Sequence, residues 1–180
     1  MENSSLLELV KRSINDKLEG KTTIDFSLKE KYPELNEQRA TFVTLNLNGN
    51  LRGCIGSLLP QRSLFDDLVH NAKAAAFEDP RFPPLTTEEF NNIDIEISIL
   101  TIPTLLKYTD INDLKNKLRV GIDGVILKDG AYQATFLPSV WEQLPTFELF
   151  FSHLCNKARL NQNCLENHPQ IYIYQTKKIK

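Results

Sequence analysis

Ile93, Ile95, Ile97 and Ile99 alternate with Asp94, Glu96 and Ser98, and this stretch limits the fold more tightly than any other. Successive side chains of a strand point to opposite faces. The pattern therefore needs a sheet with one dry side and one wet side, which is the habit of antiparallel sheets rather than of parallel sheets buried on both faces. An all-helical fold is excluded. Thr41 to Leu47 alternates in the same way, Asn48-Gly49-Asn50 is a turn signal, and Leu51 to Leu58 reads as the returning strand.

Helices punctuate these strands. Leu6, Leu7, Val10, Ile14 and Leu18 recur at helical spacing, with Ser4 or Ser5 as cap and Gly20 as stop. Residues 21 to 40 are polar, hold Pro33, and predict a loop with a short turn. Ser63 caps a second helix built on Leu64, Phe65, Leu68, Val69, Ala72, Ala75 and Ala76. Pro80, Pro83 and Pro84 then impose a stiff loop, and Thr86 or Thr87 with Glu88 to Phe90 predicts one helical turn. The second half repeats the order. Arg119 to Leu127 and Ala131 to Phe136 predict a hairpin around Asp129-Gly130. Phe147, Phe150, Phe151 and Leu154 mark a helix, and Ile171 and Ile173 mark a last strand. Hairpin, helix, strand thus occurs twice, offset by roughly 80 residues, as an internal duplication or as two independent uses of a common motif. With no linker between them, the halves (roughly 1–105 and 106–180) are expected to form one domain of two lobes sharing a sheet or core.

Composition narrows the partners. The chain has 180 residues, 21 Lys and Arg against 23 Asp and Glu, and a formal charge of -2. That balance provides no field for nucleic acid or an anionic membrane, and no apolar run reaches the length of a membrane span. Neither partner is expected. The amphipathic, partly acidic start does not read as a secretory leader. Cys54, Cys155 and Cys164 are too few for a disulfide scaffold, so free thiols in a reducing cytoplasm are expected. His153, Cys155, Cys164 and His168 lack the spacing of a zinc finger or ribbon, so no metal site is expected. Lys177 to Lys180 reads as a frayed basic tail.

Leu51-Arg52-Gly53-Cys54-Ile55-Gly56 is where chemistry concentrates. Under strict alternation Leu51, Gly53 and Ile55 share the apolar face, while Arg52 and Cys54 share the other. Pairing Leu47 with Leu51 brings Thr44 and Asn46 beside that second face, whereas a two-residue Asn48-Gly49 turn would shift the register by one. The first register is preferred because it keeps one side dry. A guanidinium beside a thiol favours thiolate, and glycines on either side let another backbone or a ligand approach. Cys54 then serves as nucleophile, redox group or soft ligand. The plain alternative is a small packed cysteine, with Arg52 paired to an acid.

These residues carry a resemblance. Leu51 to Gly56, Ala74 to Thr86, Ile95 to Leu100, Gly124 to Leu127 with Thr135 to Glu142, and Leu154 to Leu160 resemble, in order, the AMMECR family. The resemblance runs from about residue 40 to residue 175. It implies an α+β fold with a barrel-like, mainly antiparallel sheet, flanking helices and two related halves. It also implies a place beside Memo-type and radical S-adenosylmethionine proteins, with no settled reaction or cofactor. Its hallmark covers Leu51 to Gly56, and its second signature covers Asp79, Pro80, Arg81, Phe82 and Pro84. One departure is Arg159, where the family usually has glycine. Losing that glycine disfavours a left-handed end to the preceding helix. A tryptophan common after that segment is also absent.

The expected site is therefore Cys54 and Arg52 as reactive thiol and activating cation, with Arg81, Asp79, Gly53, Gly56 and Glu96 around a small anionic or polar ligand. Arg52 and Arg81 carry guanidinium forks that match a carboxylate or phosphate, and Asp79 fixes the loop. Arg81 in a plain salt bridge is the alternative. Glu96 either orients Arg52, relays a proton, or belongs to a solvated strand face. His70 falls on the polar side of its helix and is read as a surface residue. A binding module without catalysis is the competing functional class.

Overall fold

The computed structural model describes residues 2–180. Six helices and eight strands follow in the order α1 (Asn3–Glu19), α2 (Leu28–Lys31), β1 (Thr41–Leu47), β2 (Asn50–Gly56), α3 (Leu64–Phe77), α4 (Thr87–Phe90), β3 (Ile93–Leu100), β4 (Thr104–Leu106), α5 (Ile111–Lys117), β5 (Gly124–Asp129), β6 (Tyr132–Phe136), α6 (Phe147–Lys157), β7 (Gln170–Tyr174) and β8 (Thr176–Ile179). Short 3-10 turns lie at Pro33–Asn36, Pro138–Glu142 and Cys164–Asn167.

The strands form two four-stranded sheets, β2-β1-β3-β8 and β4-β7-β5-β6. Neither closes into a barrel, which corrects the barrel-like expectation: a barrel requires its outer strands to pair, and here β2 and β8 end one sheet, β4 and β6 the other. One compact unit contains the chain up to Leu100 together with Lys177–Lys180, and the other contains Thr101–Thr176. Each has its own sheet and its own apolar cluster. The repeated order is present: β2-β1-β3 in the first sheet matches β6-β5-β7 in the second. The fourth strands are exchanged. β4 follows β3 but pairs with β7, and β8 follows β7 but joins β3.

The first unit is built as its periodicity requires. Val43, Leu45 and Ile97 are fully buried against Val10 and Ile14 of α1 and Phe65, Leu68 and Ala72 of α3. Each such large side chain contributes roughly 1.5–3 kcal/mol relative to exposure. α1 ends at Gly20, whose φ of 64° permits the left-handed turn, but it begins at Asn3 with no side-chain cap, not at Ser4 or Ser5. Ser63 caps α3, accepting a hydrogen bond from the Asp66 N–H. The basic tail is not frayed: Ile179 is 2% exposed in the first core, and Lys178 and Lys180 flank it on β8 and beyond. The apolar residue inside a basic stretch was the overlooked signal.

In the second unit β5 begins at Gly124 rather than Arg119, because the Asp123 carboxylate accepts from the Arg119 N–H, Nε and Nη2 and folds that segment into a loop. Trp141 stacks on Phe150 of α6 with ring centroids 3.7 Å apart, while its indole N–H donates to the Asp123 carbonyl. No described helix is long and apolar enough to cross a membrane.

Candidate functional site

The β1–β2 hairpin satisfies both competing registers. Asn48 and Gly49 form a two-residue turn with φ of 52° and 78°, so Leu47 pairs with Asn50 and Asn46 with Leu51. Beyond it the register shifts by one, giving Leu45–Gly53, Thr44–Cys54 and Val43–Ile55. Arg52 is the extra residue of this bulge. The twist-matched turn and the dry face are each kept, and the bulge absorbs the difference. Two expectations fail as a result. Leu51 is 42% exposed and does not join Gly53 and Ile55 on the apolar face. Arg52 also leaves the strict alternation that was to align it with Cys54.

Arg52 is 7% exposed and belongs to a different partner. Its Nε and Nη2 donate to the two Glu89 carboxylate oxygens at 2.8 and 3.0 Å, and Nη2 also donates to the Pro83 carbonyl at 2.9 Å. The guanidinium thus holds α4 and the proline loop through Nε and Nη2, while its buried Nη1 has no hydrogen-bond partner among the described residues. Arg52 and the Thr86 N–H hold Glu89 far below its ordinary value, at about 2. Sequence reasoning missed Glu89. The signal was Thr86 followed three residues later by Glu89, a capping box formed here in full.

Cys54 is instead gripped by Asp79 and Arg81. The Cys54 N–H donates to Asp79 Oδ2 at 2.9 Å, and Arg81 Nη2 donates to the Cys54 carbonyl at 3.3 Å. The same carboxylate accepts from the Arg81 N–H, Nε and Nη2 at 3.1, 3.0 and 2.7 Å. Asp79 is buried and held well below the usual carboxylate range, chiefly by Arg81, with the Cys54 and Arg81 backbone N–H groups adding. β2 is an edge strand, and the Asp79–Arg81 pair supplies the acceptor and donor that a neighbouring strand would supply. The Cys54 peptide groups consequently turn away from β1. That makes Thr44–Cys54 a pair without mutual ladder bonds, whose side chains approach closely. Thr44 Oγ1 lies 3.2 Å from Cys54 Sγ, and the cysteine is half-buried.

Arg81, with its side chain 54% exposed, is the cation bonded to the Cys54 main chain. Its pKa is raised, chiefly by its bond to Asp79 and further by the charge of Cys54. Arg81 and Arg52 both lie near the Phe82 ring, at 5.6 and 5.7 Å from its centroid.

The glycines serve packing. A Cβ on Gly53 would lie 2.1 Å from the Ala75 carbonyl oxygen of α3, and one on Gly56 would lie 2.2 Å from the Phe42 ring. The room expected for a ligand at Gly53 and Gly56 is filled by protein. Glu96 is in register with Thr44, which is in register with Cys54, so the three form one row across β3, β1 and β2. Glu96 does not orient Arg52: it pairs with Lys180 at 2.9 Å and Lys178 at 3.6 Å. His70 is exposed, as its helical position implies.

Asp67 is a second buried acid that the sequence reading passed over. It accepts from the Thr41 N–H and hydroxyl, the Ser57 hydroxyl and Asn71, joining β1 to α3. Asp67 and Asn71, four residues apart on an otherwise apolar helix face, were its signal.

Of the three expected free thiols, only Cys54 is free among the described residues; Cys155 and Cys164 form a disulfide with Cα atoms 5.8 Å apart. The reason is local. Arg159 adopts φ 62° after α6, so the left-handed turn persists without glycine, and the Leu160 N–H bonds back to the Cys155 carbonyl. The chain then turns back to bring Cys164 against Cys155. The two cysteines of the unlikely zinc constellation are thereby bonded to each other.

Comparison with known proteins finds relatives that match nearly the whole chain. A protein of Methanothermobacter thermautotrophicus is 36% identical over 97% of this chain and 90% of its own length. Protein NEQ441 of Nanoarchaeum equitans is 34% identical over 95% of this chain and 96% of its own. Among solved structures, Uncharacterized Protein PH0010 from Pyrococcus horikoshii matches with a TM-score of 0.79 and 34% identity, covering 96% of this chain and 88% of that one. The AMMECR1 family profile matches residues 7–179, so that the bulged β2 hairpin, its Asp79–Arg81 clasp and both sheets lie within a chain that belongs to the AMMECR1 family.

Proposed function

We propose that the chain is an enzyme or enzyme component that uses the Cys54 thiol on a small anionic or polar ligand. Arg81 is the residue best suited to receive the ligand's negative charge, because its guanidinium is half exposed while bonded to the Cys54 carbonyl. Asp79 positions both. Arg52, assigned that charge role from sequence, positions the loop through Glu89 instead. The observation that carries the proposal is the clasp itself: a buried carboxylate and a half-exposed guanidinium fix the backbone of the one free cysteine, whose sulfur meets a hydroxyl. In this proposal the chain works in the cytoplasm alongside Memo-type and radical S-adenosylmethionine proteins, a placement that requires the buried Cys155–Cys164 disulfide to persist against cellular reductant.

Alkylation of the native protein across a pH series tests the thiol. Rapid labelling of Cys54 near neutral pH is expected, together with loss of activity in a reconstituted three-protein system for Cys54→Ser while its fold is kept. Labelling only after denaturation, or full activity of Cys54→Ser, defeats the catalytic role. The second reading is a non-catalytic module binding a protein or ligand. It is favoured by Gly53, Gly56 and Arg52, which are all committed to packing. Retention of Memo-type and radical-enzyme partners by Cys54→Ser, without a reactive thiol, is the result it expects.

A further inference from the structure

Arg52 carries more donors than the protein uses. A guanidinium holds its N–H groups in a fixed planar fork. Nε and Nη2 meet the two Glu89 oxygens, and Nη2 also donates to the Pro83 carbonyl. Nη1 sits beside Nη2 at the tip of that fork, so it is aimed at the same stretch of loop. It is buried, has no partner among the described residues, and belongs to a side chain only 8% exposed. A buried donor left unpaired is costly, so this one calls for an acceptor that the chain itself does not supply.

The loop residue before Pro83 is Phe82. Its half-buried ring has its centroid 5.7 Å from the Arg52 guanidinium carbon and 5.6 Å from that of Arg81. Arg81 uses Nε and Nη2 on Asp79 and the Cys54 carbonyl, and its Nη1 has no hydrogen bond among the described residues. One ring is therefore shared by two guanidiniums, each with an unused Nη1, one sealed and the other half exposed. The ring is held by packing alone, and a change of its rotamer uncovers the sealed nitrogen.

Charge limits what can enter. Glu89 and Asp79 already match the two cations. A singly charged ligand leaves one charge over, partly in water at Arg81, whereas a phosphate dianion leaves two, and burial penalises each charge that is not paired. A carboxylate is also planar, and its two oxygens match guanidinium donors.

We infer that Phe82 is a movable cover over an acceptor subsite, and that the group admitted beneath it is a carboxylate, one oxygen taking Nη1 of Arg52 and the other Arg81. The inference rests on the proposed function and narrows its ligand to a carboxylic acid. No bond is made or broken in this step.

The test uses the full chain with 15N-labelled arginine, sodium acetate as the probe, and sodium chloride to hold ionic strength constant. Saturable movement of the Arg52 and Arg81 Nε signals with one dissociation constant is expected. Phe82→Ala should tighten that constant about threefold or more, because the open state no longer has to be populated first. Inorganic phosphate at pH 8 should bind more weakly than acetate. Movement of Arg81 alone would overturn the inference. So would an Arg52 signal that stays fixed even in Phe82→Ala (the result of a resident water on Nη1), phosphate binding as tightly as acetate, or no gain from Phe82→Ala. Alkylation of Cys54 is a separate measurement. A reactive thiol with a fixed Arg52 signal removes this subsite alone. An unreactive thiol with a saturable Arg52 response removes the thiol reading and keeps the carboxylate subsite.

Discussion

The edge strands β2 and β6 occupy the same place in the same strand order, yet the two regions solve one problem with different chemistry. In each, a cation secures an edge carbonyl: Arg81 Nη2, from the loop after α3, on Cys54, and Lys157 Nζ, from the last turn of α6, on Thr135 at 2.9 Å. In the second, Thr135 is 7% exposed, its hydroxyl lies 3.1 Å from the Tyr174 hydroxyl, and a disulfide pins the loop after α6. In the first, the side chain is a half-buried thiol beside Thr44, and the loop after α3 is pinned by the ionised Asp79–Arg81 clasp. The second arrangement is closed covalently and covered; the first is polar, reversible and partly open. The same strand order thus leaves one edge residue covered and the other half-buried beside a reversible ionic fastener.

The strongest way to break this comparison is at the helix contact. Gly53 and Ala134 hold matching places, paired with the fully buried Leu45 and Leu127. A Cβ added to Gly53 would meet the Ala75 carbonyl oxygen of α3 at 2.1 Å, whereas Ala134 already carries one. Gly53→Ala should cost about 3 kcal/mol or more, because β2 must shift from α3, while Ala134→Gly should cost about 1 kcal/mol. Denaturant melts of the two variants measure both, and equal costs would show that the halves are packed alike.

Acid and loss of the disulfide sharpen the contrast between the fasteners. Glu89 and Asp79 have folded-state pKa values below their unfolded ones, so their contribution is fully present above about 4.5 and is lost as pH falls, through about 2 for Glu89 and lower still for Asp79. Hydrogen exchange should show the Thr86 amide, bonded to Glu89, released as pH approaches about 2 and the Cys54 amide, bonded to Asp79, released only at lower pH, with the loop after α6 unaffected. Cys155→Ala/Cys164→Ala should do the reverse, loosening the Leu160 amide and costing about 2–3 kcal/mol. Coincident release of both loops under either treatment would contradict separate fasteners.

The smallest effect concerns Arg159. A non-glycine residue at φ 62° is disfavoured, so Arg159→Gly should raise stability by about 1 kcal/mol in a thermal melt. A decrease would mean that the arginine side chain contributes more than its backbone costs.

Periodicity revealed β1, β2, β3, β5, β6 and β7, the helices α1, α3 and α6, and the repeated order, because apolar positions of one element face one core, whereas the short β4, α5 and β8 went unread. The clasp was half legible: Asp79 and Arg81 were visible as a signature, but not that they seize the backbone of Cys54. Arg52 was misassigned for a definable reason. Alternation counts residues, and a bulge adds one without any mark in the sequence beyond a conflict between turn and register. That conflict was present at Asn48-Gly49. The disulfide was hidden because two cysteines nine positions apart have no fixed separation in space until the turn at Arg159 is known.

The exchange of fourth strands has a consequence for synthesis on the ribosome. The first hundred residues emerge with three strands of their sheet, and the fourth is not made until Lys177–Lys180 has been translated. At ordinary elongation rates that interval is about 4–15 s. Until then the outer rim of β3 stays bare in the nascent chain, leaving it open to chaperones and to mispairing with other nascent strands.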